Sequence, residues 1–169
     1  MSTIIILQLA FAFFIGFFGL FIIHRVVTGF LVRNYQIEEH DNLALSIFQV
    51  GVIASGSLIL SDIVNPAVNA IRVLNPEGTL RLSTMGNAMG YIGIFAIIGV
   101  LASFLVITGG LVAIFQMTKV NEIEEMKAKR INSTLVAVAL IIGISYIVSD
   151  YCGHLCEAMI PYPDVLQIR

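Results

Sequence analysis

Residues 43–61 read LALSIFQVGVIASGSLILS, nineteen positions without an Asp, Glu, Lys or Arg. Wound as an α-helix at about 1.5 Å per residue, they span about 28 Å, close to the roughly 30 Å hydrocarbon core of a bilayer. Three more uncharged apolar stretches of comparable length follow from the same reading: residues 4–23, 91–115 and 131–149. The third has 25 residues, about 37 Å of helix, and is expected to tilt or to project from the membrane. Continuous apolar runs exclude a transmembrane barrel, whose strands alternate over about ten residues. The fold class expected is therefore all-α: a polytopic membrane protein with four transmembrane helices, the 169 residues forming one membrane domain.

Composition agrees. Hydrophobic residues make up 58% of the chain and charged ones only 12%, too few to coat a water-facing surface, which argues against a soluble enzyme. The net charge of -2 comes without a long run of either sign, so there is no nucleic-acid footprint. Two cysteines do not make a disulfide scaffold.

The first span is not read as a signal peptide, because no Lys or Arg precedes it and no small-residue cleavage site follows Phe21, Ile22 and Ile23. Of the nine Lys and Arg, six fall in the first and third loops: Arg25, Arg33, Lys119, Lys127, Lys129 and Arg130. The opposite side holds three, Arg72, Arg81 and Arg169. Basic loops stay in the cytoplasm, so both termini are expected outside.

The even-numbered spans are entered and left alike. Ile37-Glu38-Glu39 is echoed by Ile123-Glu124-Glu125, and each signature leads to an asparagine, Asn42 or Asn132. Ser57, Ile59, Ser61 and Asp62 match Ser145, Ile147, Ser149 and Asp150 at a constant offset of 88. Two tandem helical hairpins, residues 4–62 and 91–150, then form a parallel internal repeat about an approximate two-fold axis along the membrane normal. Small and polar residues such as Ser46, Gly51, Ser55, Gly56 and Gly143 mark the even spans as the central pair. The first span, with Phe11, Phe13, Phe14, Phe17, Phe18 and Phe21, reads as lipid-facing.

On these features the chain resembles the YjfL-like bacterial inner-membrane family, a domain of unknown function with four spans in two similar halves. The residues carrying the likeness are Glu38, Glu39, Asp41, Asn42 and Ala44 in the first half and Glu122, Glu124 and Asn132 in the second. It covers roughly residues 5–160, with Arg130 and Ile131 departing from the pattern before Asn132. The resemblance implies the bacterial inner membrane, and membrane-stress or membrane-organising partners similar to the phage-shock effector. It implies no established activity.

Each candidate residue has two readings. Asp62 lies about 30 Å of helix beyond Asn42, near the outer interface. It and Asp150 either end their spans as hydrated carboxylates or face each other across the outer mouth and bind a cation or polyamine. Gln49, Ser57 and Ser145 read as interhelical polar contacts, Gln49 alternatively as part of a solute path. Asn42 and Asn132 read as helix caps. Cys152, His154 and Cys156 are the only metal-ligand types in a cluster, but on a helix the cysteines share a face and the histidine points away. No metal, cofactor or catalytic constellation is expected, and packing is the plainer reading of the cysteines. Residues 122–130, with Glu125 four before Lys129, are expected to extend a span into water and to serve as a connector or a docking surface. The function expected is a non-enzymatic membrane component that forms a homo-oligomer or anchors a partner assembly, the alternative being a subunit of a small-cation or polyamine channel or carrier.

Overall fold

A computed structural model describes residues 2–74, 82–118 and 120–162, with side chains at all of these except 2–5, 7–8 and 82–85. Five helices account for most of them: α1 Ser2–Tyr35, α2 Leu43–Leu74, α3 Leu82–Thr118, the short α4 Glu122–Lys127, and α5 Ile131–Ala158. No strand occurs among the described residues. Four of the helices are long and apolar enough to cross a membrane.

All four long helices outrun the expected spans. They contain 34, 32, 37 and 28 residues, or about 51, 48, 55 and 42 Å of helix. Bilayer thickness bounds the apolar part of a helix, not the helix, and the charges that close the uncharged stretches do not stop helical hydrogen bonding. Asp62 and Asp150 therefore sit inside α2 and α5, not at their ends; α2 continues twelve residues past Asp62, through Pro66.

The bundle has two ends. One, the connector end, holds the α1–α2 turn and α4; the other holds the start of α1 and the end of α5. Close neighbours along α2 and α5 rise together: Gly51 with Val138, Asp62 with Gly153, and Asn69 with Glu157. The two helices are thus parallel, as two successive hairpins require. Their interface is the most extensive among the described residues. At Gly51 the backbones approach so closely that a Cβ would lie 2.7 Å from both Val138 methyls.

The α2–α5 pair is the main interface, as expected, but the packing around it departs from the expected two-fold arrangement. Both α2 and α3 touch the three other long helices, whereas α1 and α5 occupy opposite corners without substantial contact. A two-fold axis would demand an α1–α5 interface to match the α2–α3 one. The reason lies in α3, whose Gly99 and Gly110 admit Ile63 of α2 and Ile141 of α5, while Ser103 is fully buried. These small residues draw α3 inward. On α1, Phe13, Phe14, Phe17, Phe18 and Phe21 are exposed and Phe11 is half-buried, the pattern of a helix facing lipid.

Candidate functional site

At the connector end the two acidic signatures meet. Asn42 caps α2, its Oδ1 accepting from Leu45 N at 3.0 Å, and its Nδ2 donates to Met126 O at 2.9 Å. One buried amide thus starts α2 and ties α4 to it. Ile37 and Met126 are buried beside this tie. Glu38 reaches Lys129 at 3.7 Å, an exposed pair that adds little stability, and the half-buried Glu125 reaches the exposed Arg130 at 3.0 Å. Glu39 and Glu124 are exposed. Glu125 thus pairs five residues on, not with Lys129 as an extended helix would have it. The connector is a separate short helix: Asn121 caps its start by accepting from Ile123 N at 3.2 Å. Lys129, at φ 59, turns the chain back, with Arg130 N donating to Glu125 O at 2.9 Å.

Glu122 lies beneath this end, only 4% exposed, with Oε2 unpartnered among the described residues. Burial raises its carboxyl above the ordinary value; the nearby Ser133 hydroxyl opposes this and the Glu125 charge adds to it.

The other candidate lies towards the opposite end, in the cleft between α2 and α5. Asp62, Asn65 and Pro66 face Asp150, Gly153, His154 and Glu157 across an open groove of about 260 Å3. Pro66 has no N–H, so the Asp62 carbonyl four residues earlier loses its helical donor. That carbonyl points at Gly153, where a Cβ would lie 3.1 Å away. A residue without a side chain is what lets α5 come so near. Asp62 is half-buried, and Asp150 is exposed with its Oδ1 3.6 Å from His154 Nε2. Glu157 accepts from Asn69 Nδ2 at 3.1 Å and from the Tyr162 hydroxyl. Among the described residues no three His, Cys, Asp or Glu side chains stand close enough to share one metal ion. The groove offers dispersed negative charge, which suits an extended cation better than a compact one.

The remaining expected residues are placed variously. Ser145 does bridge helices, but its buried hydroxyl bonds Ser55, not Ser57. Ser57 is exposed and donates to Ala54 O of its own helix at 2.8 Å, since it lies two residues round from the α5-facing side. Gln49 is half-buried and makes no side-chain hydrogen bond to another helix among the described residues. Asn132 is no cap: Arg130 occupies that position without a side-chain bond, and Asn132 is exposed within the first turn of α5. The turn at Lys129 starts the helix too early for it. Cys152 and Cys156 are buried free thiols, and His154 points away into the groove. Sequence reasoning missed Pro66, Asn69, Gly153 and Glu157. Two signals were present: a proline four residues after Asp62, and the 88-residue separation of Asn69 from Glu157, the offset of the repeat.

No protein family, curated protein or solved structure matches the chain.

Proposed function

We propose that this protein is a non-enzymatic component of a membrane assembly, resembling the YjfL-like inner-membrane family, which binds a partner or further copies of itself through the connector end. The observation that carries the reading is the Asn42–Met126 tie, which fixes α4 to the bundle and presents Glu124, Lys127 and Lys129 on a preformed surface. A surface ordered before binding loses less conformational entropy when it docks. In this reading the basic connectors face the cytoplasm of a bacterial cell and both termini lie outside.

The test is native mass spectrometry and affinity recovery of the full chain in mild detergent, for the wild type and for Lys127→Glu with Lys129→Glu. Recovery of an oligomer or of a defined partner, lost on charge reversal without loss of helicity, supports the proposal. A strictly monomeric protein that recovers nothing overturns it. Activity of a cytoplasm-only reporter fused to the carboxyl terminus overturns the orientation.

A second reading is favoured by the α2–α5 groove, where Asp62, Asp150 and Glu157 stand with a carbonyl released by Pro66. It makes the chain a subunit of a polyamine or small-cation pathway. Liposome flux that falls when Asp62→Asn and Asp150→Asn are combined supports it, and absence of flux in the wild type under any gradient refutes it.

A further inference from the structure

Two contacts set the level of α1 within the bundle. Leu60 of α2 lies against Gly19 and, one turn further along α1, Ile23 lies against Gly56, so the two helices run antiparallel with these levels matched. The approach of Gly51 to Val138 likewise sets residues 43–61 beside residues 131–149. Charges close both runs at the same two levels: Asp41 and Arg130 at the connector end, Asp62 and Asp150 at the other. The slab between them is about 30 Å thick, the depth of a hydrocarbon core.

Arg25 falls inside that slab. Two residues past Ile23, it stands near the level of Ala54, within about 3 Å of Val52 at the midpoint of residues 43–61. A tilt of about 20° across helix axes about 10 Å apart shifts this level by only about 4 Å. Moving the slab outward to clear Arg25 would instead take in Asp62, Asp150, His154 and Glu157, a costlier set. Arg25, which the sequence places in the first loop, is therefore an intramembrane residue of α1. The connector end keeps five of the other eight Lys and Arg, so the orientation argument stands.

Nothing in the bundle answers this guanidinium. Arg25 is exposed and pairs with no carboxylate among the described residues. There is no acidic residue in α1 and no charged residue in α3, and the acids of α2 and α5 begin only at Asp62 and Asp150, about 12 Å away in depth. Arginine does not shed its proton in proteins, and a charge at mid-depth faces another helix or water, not lipid. Gly29, one turn from Arg25 on the same face, has open space about its Cβ position, so a helix can lie close beside the charge.

We propose that the Arg25 face of α1 docks a transmembrane helix of a different protein, one whose Asp or Glu lies at mid-depth and pairs with Arg25. A second copy of this chain does not fit. Placed upright or inverted in the bilayer, it returns its own Arg25 to the same depth and brings no carboxylate there. A headgroup phosphate does not fit either, since it lies about 15 Å away, at the surface of the core. The site is separate from the connector end, so Lys127→Glu with Lys129→Glu should leave it intact.

The experiment reconstitutes the full chain, with a donor fluorophore at its carboxyl terminus, in dioleoyl-phosphatidylcholine vesicles. Acceptor-labelled poly-leucine transmembrane peptides carry Glu or Leu at their centre, and association is read by energy transfer. Wild type is expected to bind the Glu peptide about tenfold better than the Leu peptide, the scale of one strong interhelical polar contact in lipid. Moving the Glu seven residues towards either peptide end abolishes the preference. Arg25→Leu also abolishes it, Arg25→Glu transfers it to a peptide with a central Lys, and Arg33→Gln leaves it intact, each with helicity by circular dichroism unchanged. Depth is measured separately, with bimane on Val26→Cys in a Cys152→Ala, Cys156→Ala background. A nitroxide near the acyl-chain end should quench it more than one on the headgroup. Stronger quenching from the headgroup, equal binding of the Glu and Leu peptides by the wild type, or a preference that survives in Arg25→Leu overturns the proposal. So does a dimer of the chain that forms without peptide and is split by Arg25→Leu, since a second copy then holds the face.

Discussion

Replacing Gly51 with alanine adds a single carbon at the closest approach of α2 and α5, and the geometry sets the size of the result. The new Cβ would stand 2.7 Å from Cγ1 and Cγ2 of Val138 and 3.1 Å from its Cβ. Rotation of the valine exchanges one methyl for another, and a β-branched side chain in a helix holds one rotamer strongly. The strain is relieved only by moving the helices apart, an overpacking cost of about 1–3 kcal/mol. Alanine recovers about 0.5–1 kcal/mol of helix propensity over glycine. The expected net loss is thus about 0–2.5 kcal/mol, by difference of these two terms. Since the chain has no Trp, unfolding by SDS in mixed micelles is followed by far-ultraviolet circular dichroism. Gly143→Ala is the control, since a Cβ there meets nothing within 4 Å, and it should be neutral or stabilising. Val138→Ala combined with Gly51→Ala should restore stability relative to Gly51→Ala alone. If Gly51→Ala and Gly143→Ala differ by less than about 0.5 kcal/mol, or if the second substitution restores nothing, the close packing of these two helices is wrong.

Other residues make sharper contrasts in the same unfolding assay. Asn42→Ala removes a cap and leaves the Met126 carbonyl without its donor, and should cost about 1–3 kcal/mol, whereas Asn132→Ala should stay within about 0.5. A double-mutant cycle of Ser55→Ala and Ser145→Ala should give a coupling of about 0.6 kcal/mol, and Ser57→Ala paired with Ser145→Ala none. The Glu122 carboxyl is held above its ordinary 4.5 by burial, so its protonated form favours the folded state. That contribution is complete below the unfolded value and is lost as pH rises through the folded one. Glu122→Gln should therefore flatten the fall in stability above pH 4.5, and an unchanged slope in titrations of both proteins would count against the burial. Cys152 and Cys156, both buried, should react slowly with a membrane-impermeant maleimide in the folded protein and rapidly in SDS; equal rates would place them on the surface.

How much of this was legible differs residue by residue. Four spans could be counted because lipid tolerates long uncharged runs and little else, a one-dimensional property read from residues 43–61 and their three counterparts. The direction of α2 beside α5 followed from chain order, since two successive hairpins bring their second helices the same way through the membrane. The lipid-facing side of α1 was announced by its phenylalanines, and the cap at Asn42 by its place before an apolar run. Helix ends were not legible: backbone hydrogen bonding continues past Asp62 and Asp150 whether or not the surroundings are apolar. Nor were partners. Ser145 had several small or polar residues of α2 within its reach, and rotation of one helix against another by two residues decides between Ser55 and Ser57. The matching asparagines diverged because one faces α4 and the other faces outward, a difference fixed by the turn at Lys129. Asp62, Asp150 and Glu157 became one groove only once α5 closed on the carbonyl freed by Pro66. A linear pattern records which residues can enter lipid; which of them meet is set by helix rotation and spacing, and those depend on every side chain in the interface at once.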